Sequence, residues 1–383
     1  MSGLNTDKAY IYFDNASTTA VNSDAAKLMY DGLVNMYANP SSLHGLGFKS
    51  EQAITAAREQ VAAAMGVEAK NLYFTSGGTE ANNTAVIGTA LAYQNRGKRV
   101  ITSVTEHPSV ADSFAHLEEL GFEVVRLNVD SEGHISFSEL ENAVDKQTTL
   151  VSLMYANNET GTMHDIARIN DIIKAKNPDC KLHTDCVQAF GKHILPAADL
   201  ITVSSHKIHG PKGVGALYIK QGVRVENLHF GGGQEKGLRP GTENLTGIIG
   251  FGKAAELACT NLAEKAEKVR KIKTELAKIT ESLPDVYING AQDSPYILNM
   301  SFEGVRGEVL LHALEAENIY AATGSACSTK LQKKQKIVDL LVDGRGENAV
   351  RFSFCADNTV EEAQKTVEVL EKIVPRLRKF QPR

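Results

Sequence analysis

Between about residues 70 and 220 the chain alternates short apolar runs with longer amphipathic stretches. The runs at 72–75, 99–104, 123–127, 150–155, 181–184, 200–203 and 216–219 are of strand length, which predicts seven β-strands. Between many of them, apolar residues recur at helical spacing, as at 79–93, 109–120 and 165–176. Alternation of this kind predicts an α/β fold with a mostly parallel sheet flanked by helices. Ligands of such sheets gather at the carboxyl ends of the strands. From about residue 251 the pattern changes. Leu262, Ala266, Val269, Ile272, Leu276 and Ile279 mark one long amphipathic helix. Strands at 297–302 and 350–354 then alternate with helices at 307–317 and 359–374, predicting a smaller C-terminal α/β domain.

Composition narrows the class without changing this picture. A chain of 383 residues has room for two or three domains, and 42% hydrophobic with 23% charged residues is ordinary for a globular protein. A net charge of -5 leaves no basic footprint for nucleic acid or an anionic membrane surface. No apolar run reaches the length of a membrane span, and the first eight residues are polar, so the cytoplasm is the expected location. Five cysteines at irregular spacing predict free thiols in a reducing compartment. Cys180, His183, Asp185 and Cys186 fall within seven residues, but on a strand their side chains alternate between faces, so no metal is expected there. Gly250-Phe251-Gly252-Lys253-Ala254-Ala255 matches a loose dinucleotide fingerprint, yet no strand precedes it and a helix follows, so it is read as a decoy.

The chemistry sits at the strand ends. Ser204-Ser205-His206-Lys207 follows the run at 200–203, and Gly210 and Pro211 bend the chain straight after it. A lysine held out of bulk water beside phosphate acceptors suits a Schiff base with an aldehyde cofactor, although most turn lysines are simply solvated. Thr75-Ser76-Gly77-Gly78-Thr79-Glu80 joins a strand to a helix, where backbone N–H groups favour an anion; alone it reads as a helix cap. Asp185, at the end of 181–184, needs a cationic partner if buried, and a protonated pyridine nitrogen would supply one. His107 and Asn157-Asn158-Glu159 follow two further strands; alone they are loop residues. Four such signals beside the lysine, at strand ends around one crevice, outweigh their separate ordinary readings.

Together with Tyr12-Phe13-Asp14-Asn15-Ala16-Ser17-Thr18-Thr19, Asn39-Pro40-Ser41-Ser42-Leu43-His44 and Ser76-Gly77-Gly78-Thr79-Glu80-Ala81-Asn82-Asn83, these motifs make the chain resemble pyridoxal-phosphate enzymes of the class V aminotransferase group, fold type I. More narrowly, it resembles the NifS/IscS-type cysteine desulfurases over nearly its whole length. The resemblance implies a large cofactor-binding domain at 15–250 and a small domain, 1–14 with 251–383, that carries the catalytic cysteine loop. It implies pyridoxal 5'-phosphate joined to Lys207, which would also act as the base at the substrate Cα. Asp185 would pair with the pyridine nitrogen and Gln188 with the phenolic oxygen. His107 would stack on the ring and handle protons, with Val187 on the other face. Thr79, Ser204 and His206, with backbone help from Gly78, would hold the phosphate. Thr242 would reach the phosphate from the other subunit of a homodimer. Asn158 and Arg351 would receive the substrate carboxylate.

These cofactor residues do not name the reaction, because related frameworks support several. Cys327 is the discriminating residue. Small neighbours (Gly324-Ser325-Ala326) and the following Lys330-Leu331-Gln332-Lys333-Lys334-Gln335-Lys336 predict an exposed loop and a nucleophilic thiolate. The implied function is removal of sulfur from L-cysteine, leaving L-alanine and a persulfide on Cys327. An acceptor or iron–sulfur scaffold protein, or a tRNA or cofactor thiolation route, would then take the sulfur. A selenocysteine lyase or another class V aminotransferase is the alternative. The chain departs from the family after Cys327, where the Lys/Gln-rich run replaces a Glu-Pro-Ser-like turn, and at Cys186, where Ala is more usual.

Overall fold

The computed structural model describes residues 10–324, 337–342 and 344–379. A short strand, β1 (Ile11–Tyr12), precedes the seven strands of the main sheet. These are β2 (Leu72–Thr75), β3 (Arg99–Ser103), β4 (Glu123–Leu127), β5 (Thr148–Ser152), β6 (Lys181–Asp185), β7 (Leu200–Ser204) and β8 (Gly215–Ile219). Their order across the sheet is β2-β8-β7-β6-β5-β3-β4. The pairs from β4 to β7 are all parallel, whereas β8 runs antiparallel to both β7 and β2. The link from β7 to β8 is too short for a crossover, so the chain can only turn back. β5 and β7 are buried at every position, as strands covered on both faces must be.

β5 starts at Thr148, two residues before the expected strand, because Thr148 and Thr149 are buried and Thr148 pairs with Arg99. The ladder still runs on past Ser152: the Leu153 and Tyr155 amides donate to the His183 and Asp185 carbonyls.

A second sheet follows, with β9 (Val286–Asn289), β10 (Ile297–Phe302), β11 (Ile319–Tyr320) and β12 (Ala349–Ser353) as the later strands. β12, β10 and β9 form an antiparallel sheet in that order, while β11 pairs in parallel with β1. β9 is an edge strand of four residues, too short to stand out as a periodic run. The helices Leu262–Ala277, Gly307–Ala316 and Val360–Arg378 bury Ile272, Leu310 and Leu370 against Leu298, Met300 and Phe352 of this sheet. Thr359 and Glu362 close a reciprocal capping box at the start of the last helix. The expected long helix after residue 262 is interrupted at Lys278 and resumes at Ile279–Ser282.

The helix Leu245–Ala258 belongs to the main-sheet core, where Ile248, Phe251 and Ala254 pack with Phe74 and Val203. The glycine pattern at 250–255 lies inside this helix. A Cβ on Gly250 would come within 2.6 Å of Met29 Cγ, so this glycine permits helix packing rather than a phosphate turn. Among the described residues no helix is long and apolar enough to cross a membrane.

Candidate active site

The carboxyl ends of β5, β6 and β7, together with Ala16 and Ser17, line a cleft whose space, counted with the solvent at its mouth, is about 850 Å³. Gly78, Thr79, Ser204 and His206 line one end of it. His107, Asp185, Val187 and Gln188 line its middle, and Asn158, Lys207 and Arg351 complete the wall. Eleven residues singled out in the sequence thus meet in one place. Thr242 does not join them: it is exposed and lies off this wall. Cys327 lies outside the described residues.

Lys207 ends the single 3₁₀ turn Ser205–Lys207 that follows β7. The turn is tight because a Cβ on Gly210 would lie 2.0 Å from Ser205 Oγ, so no side chain fits there. Lys207 Nζ donates to the Ala16 carbonyl at 2.5 Å and the Ser17 carbonyl at 2.7 Å. Gln188 Nε2 donates to the same Ala16 carbonyl at 2.9 Å, and its Oε1 accepts from Lys192 Nζ at 3.3 Å. Burial pulls the Lys192 ammonium down to about 7, with Lys207 pushing the same way.

Asp185 is the last residue of β6 and is buried. Its Oδ2 accepts from Asn82 Nδ2 at 2.7 Å, and its Oδ1 from the Val187 amide at 2.9 Å. Among the described residues it has no ion-pair partner. A buried carboxylate with donors but no cation is costly unless a ligand brings the charge. His107 N-caps the helix Pro108–Glu119, and its Nδ1 accepts from the Ser109 amide at 3.1 Å. In the neutral ring the proton therefore sits on Nε2. Burial lowers the His107 pKa; Asp185 opposes this and Lys207 adds to it. His206 is held down to about 4, chiefly by burial and then by Lys207, so at neutral pH it is uncharged.

Asn157 fixes the loop beside the cavity. Its Oδ1 accepts from the Glu159 and Thr160 amides and its Nδ2 donates to the Thr105 carbonyl, which turns Asn158 toward the wall. Arg351 stands on β12, with its side chain only 1% exposed. Its Nη1 donates to the Asn158 carbonyl at 2.9 Å, and its Nη2 donates to Asp14 Oδ1 and Ser17 Oγ, both at 2.7 Å. Ser204 Oγ, Asn158 Oδ1 and Arg351 Nε are buried with no hydrogen-bond partner among the described residues. Three orphaned polar atoms on one cavity wall are what a bound ligand would satisfy.

Sequence reasoning passed over Glu106, Lys192, Asn82 and the roles of Asp14 and Ser17, although Asn82, Asp14 and Ser17 lay inside quoted motifs. It also gave no sign that His209, Cys355 and Asp357 come together. Their ligand atoms lie within 4.8 Å of one another, beside a second cavity that touches Lys207 from another side. Cys180 and Cys186 are buried free thiols. Burial pushes the Cys180 thiol up to about 12 and raises those of Cys186, Cys259 and Cys355 as well.

Comparison with known proteins agrees with this geometry. The family described as "Aminotransferase class-V" matches residues 11–366. A "NifS/IcsS protein homolog" of Lactobacillus delbrueckii subsp. bulgaricus is 45% identical over 373 residues, 95% of this chain and 97% of that protein. A protein of Clostridium botulinum named "Cysteine desulfurase IscS" is 40% identical, covering 97% of this chain and 96% of its own length. A solved "NIFS-LIKE PROTEIN" superposes with a TM-score of 0.90 at 35% identity, over 96% of this chain and all of that one. Fold and sequence therefore agree that the chain belongs to the class V aminotransferase family, among relatives named as NifS/IscS cysteine desulfurases.

Proposed function

We propose that this protein is a pyridoxal-phosphate-dependent cysteine desulfurase that releases L-alanine from L-cysteine and keeps the sulfur as a persulfide on Cys327. The observation that carries the reading is the meeting, in one cavity, of Lys207, Arg351 and a buried Asp185 that has no ion-pair partner among the described residues. The residues fit the cofactor: Asp185 offers a carboxylate to a ring N–H, and Gln188 Nε2 and His107 lie beside it. The orphaned Ser204 Oγ, with Thr79 and the backbone at Gly78, offers donors to a phosphate. Pyridoxal phosphate, when bound, supplies an aldehyde carbon for an amine and a protonated ring that draws charge away from the substrate Cα.

The chain's own residues do the rest. Arg351 and Asn158 fix the substrate carboxylate and so aim the Cα–H bond at Lys207. Lys207 Nζ takes the Cα proton, and His107 holds a proton on Nε2 near the reacting atoms. The Cys327 thiolate then attacks the substrate sulfur. The S–S bond forms as the C–S bond breaks, its electron pair stays with Cβ, and protonation there, with return of the Cα proton from Lys207, yields alanine. Assignment of the persulfide to Cys327 is supported by the other four thiols, all raised by burial and poor nucleophiles. A solved relative described as "SspA in complex with cysteine", 29% identical with a TM-score of 0.79, supports the substrate class.

Around this chemistry we propose a homodimer, with Thr242 serving the partner's phosphate site, and a cytoplasmic location suited to free thiols. An acceptor or scaffold protein, as in iron–sulfur cluster assembly, would receive the sulfur. The division into a large domain, 15–250, and a small one, 1–14 with 251–383, is retained with its boundary moved beyond Ala258, where the helix through residue 250 ends. The test is incubation of wild type and Cys327→Ala with L-cysteine, measuring alanine and sulfide. Alanine formation collapses in the variant while the cofactor stays bound; undiminished alanine from Cys327→Ala sinks the reading. Lys207→Ala loses the visible absorption of the lysine-linked cofactor.

A further inference from the structure

The guanidinium of Arg351 has no complete fork to offer a carboxylate. Side-on binding uses Nε–H together with one Nη2–H, and end-on binding uses both Nη groups. Nε has no partner among the described residues, but Asp14 Oδ1 and Ser17 Oγ both crowd Nη2 at 2.7 Å and engage its hydrogens. The two acceptors differ in position. Ser17 lines the cavity, whereas Asp14 does not. Ser17 Oγ also donates to Asp14 Oδ1 at 2.7 Å, so its hydrogen is turned away from the cavity.

We propose that Ser17 is a carboxylate-binding residue that holds the second prong of Arg351 until substrate arrives. The hydroxyl then rotates, yields the Nη2–H to the incoming carboxylate and donates its own O–H to that carboxylate. Asp14 stays hydrogen-bonded to Nη2 and keeps the guanidinium plane aimed. The exchange replaces a neutral acceptor with an ionised one on a cation, which makes the stronger hydrogen bond.

Only the Ser17 side chain has to turn, because the backbone around it is pinned. Asn15 Nδ2 donates to the Tyr12 and Ser353 carbonyls and to Asn358 Oδ1, and the Ala16 amide donates to Ser353 Oγ at 2.8 Å. The same segment receives Lys207 Nζ on the Ala16 and Ser17 carbonyls. One rigid strip therefore sets the spacing between the carboxylate seat and the lysine, and so selects for α-amino carboxylates over simple amines.

The inference rests on the proposed seat at Arg351, and the experiment separates the two. Holoenzyme is titrated with L-alanine and with ethylamine, its decarboxylated counterpart, and binding is read from the absorption of the bound cofactor. Ser17→Ala weakens L-alanine about tenfold, the size expected for one hydrogen bond to a charged group, and leaves ethylamine unchanged. Ser17→Thr restores most of the affinity. With L-cysteine the same loss in Ser17→Ala falls on KM rather than kcat. Unchanged L-alanine affinity in Ser17→Ala, or equal weakening of ethylamine, overturns the role of Ser17. Arg351→Lys is the control. If it weakens L-alanine while Ser17→Ala does not, only the Ser17 inference falls; if it too leaves L-alanine unchanged, the Arg351 seat is wrong.

Discussion

Glu106 shows how a single buried residue tunes the site without touching its cavity. One carboxylate oxygen, Oε1, accepts from Ser103 Oγ and the Met154 amide, both at 2.9 Å, while Oε2 is buried with no partner among the described residues. Burial raises its pKa to about 8, and the charge of Asp185 adds to the rise. Near neutral pH Glu106 thus keeps its proton, which spares Asp185 a second negative charge nearby. In the unfolded chain the same group has released its proton above about 4.5. The folded state binds the extra proton between those two values, so stability is lost as pH rises from about 4.5 to 8 and the loss is complete above 8. Glu106→Gln copies the protonated group without a titration. Its melting temperature should gain on wild type across that window and hold the gain above it, as a pH series of thermal scans would show; a constant gap means that Glu106 is ionised in the fold. Lys207 and Asp185 were legible in the sequence because each lies at the end of a strand of the same sheet, whereas Gln188 came only from the family resemblance. Glu106, Asp14 and Ser17 were not, since their roles rest on partners 48 to 337 residues away.

At the scale of elements, one ion pair ties the helix Gly45–Met65 to the turn Gln234–Gly237. Glu235 accepts from Arg58 Nη1 at 2.7 Å, from Nη2 at 2.6 Å and from the Phe74 amide on β2 at 2.9 Å. Its side chain is 3% exposed, against 22% for Arg58. Removing the arginine strands a buried carboxylate, so Arg58→Met should cost about 3 kcal/mol in urea unfolding. The double variant with Glu235→Gln removes that stranded charge and should recover a good part of the loss; additive losses would show that the pair does not couple. The turn leads directly into Arg239–Asn244, so the same variant should also loosen the segment that carries Thr242. The repeated strand-and-helix rhythm made the main sheet readable before any coordinates, including its mostly parallel character. The direction of β8 was not read, although the short link after β7 fixes it, and the edge strand β9 escaped because four residues make no periodic run.

The whole molecule leaves one face unfinished. On the helix Ser23–Asn35 and just beyond it, Tyr30, Leu33, Val34 and Tyr37 recur at helical spacing, yet all four are more than half exposed. Leu43, Leu46 and Phe48 extend the exposed apolar surface onto the start of the next helix. The opposite side of the first helix is well seated: a Cβ on Gly32 would lie 2.6 Å from Ile249 Cδ1, so the helix packs closely on Leu245–Ala258. The N-terminus of that second helix adjoins Arg239–Asn244, which places the apolar face near the Thr242 segment. Apolar surface of this extent is costly in water, and in the proposed homodimer it would be the face that a second copy covers. That arrangement would also give Thr242 its proposed role at the partner's phosphate site, because within one chain it does not line the cavity. Leu33→Glu with Tyr37→Glu should therefore shift the sedimentation coefficient from dimer to monomer. Neither residue lines the cavity, so the bound cofactor should keep its lysine-linked absorption at saturating concentration while its dissociation constant rises by about tenfold, the loss of one charge-assisted contact to the phosphate. Thr242→Val should reproduce the weaker cofactor binding without dissolving the dimer. A double variant that becomes monomeric yet binds the cofactor as tightly as wild type would show that each chain completes its own phosphate site.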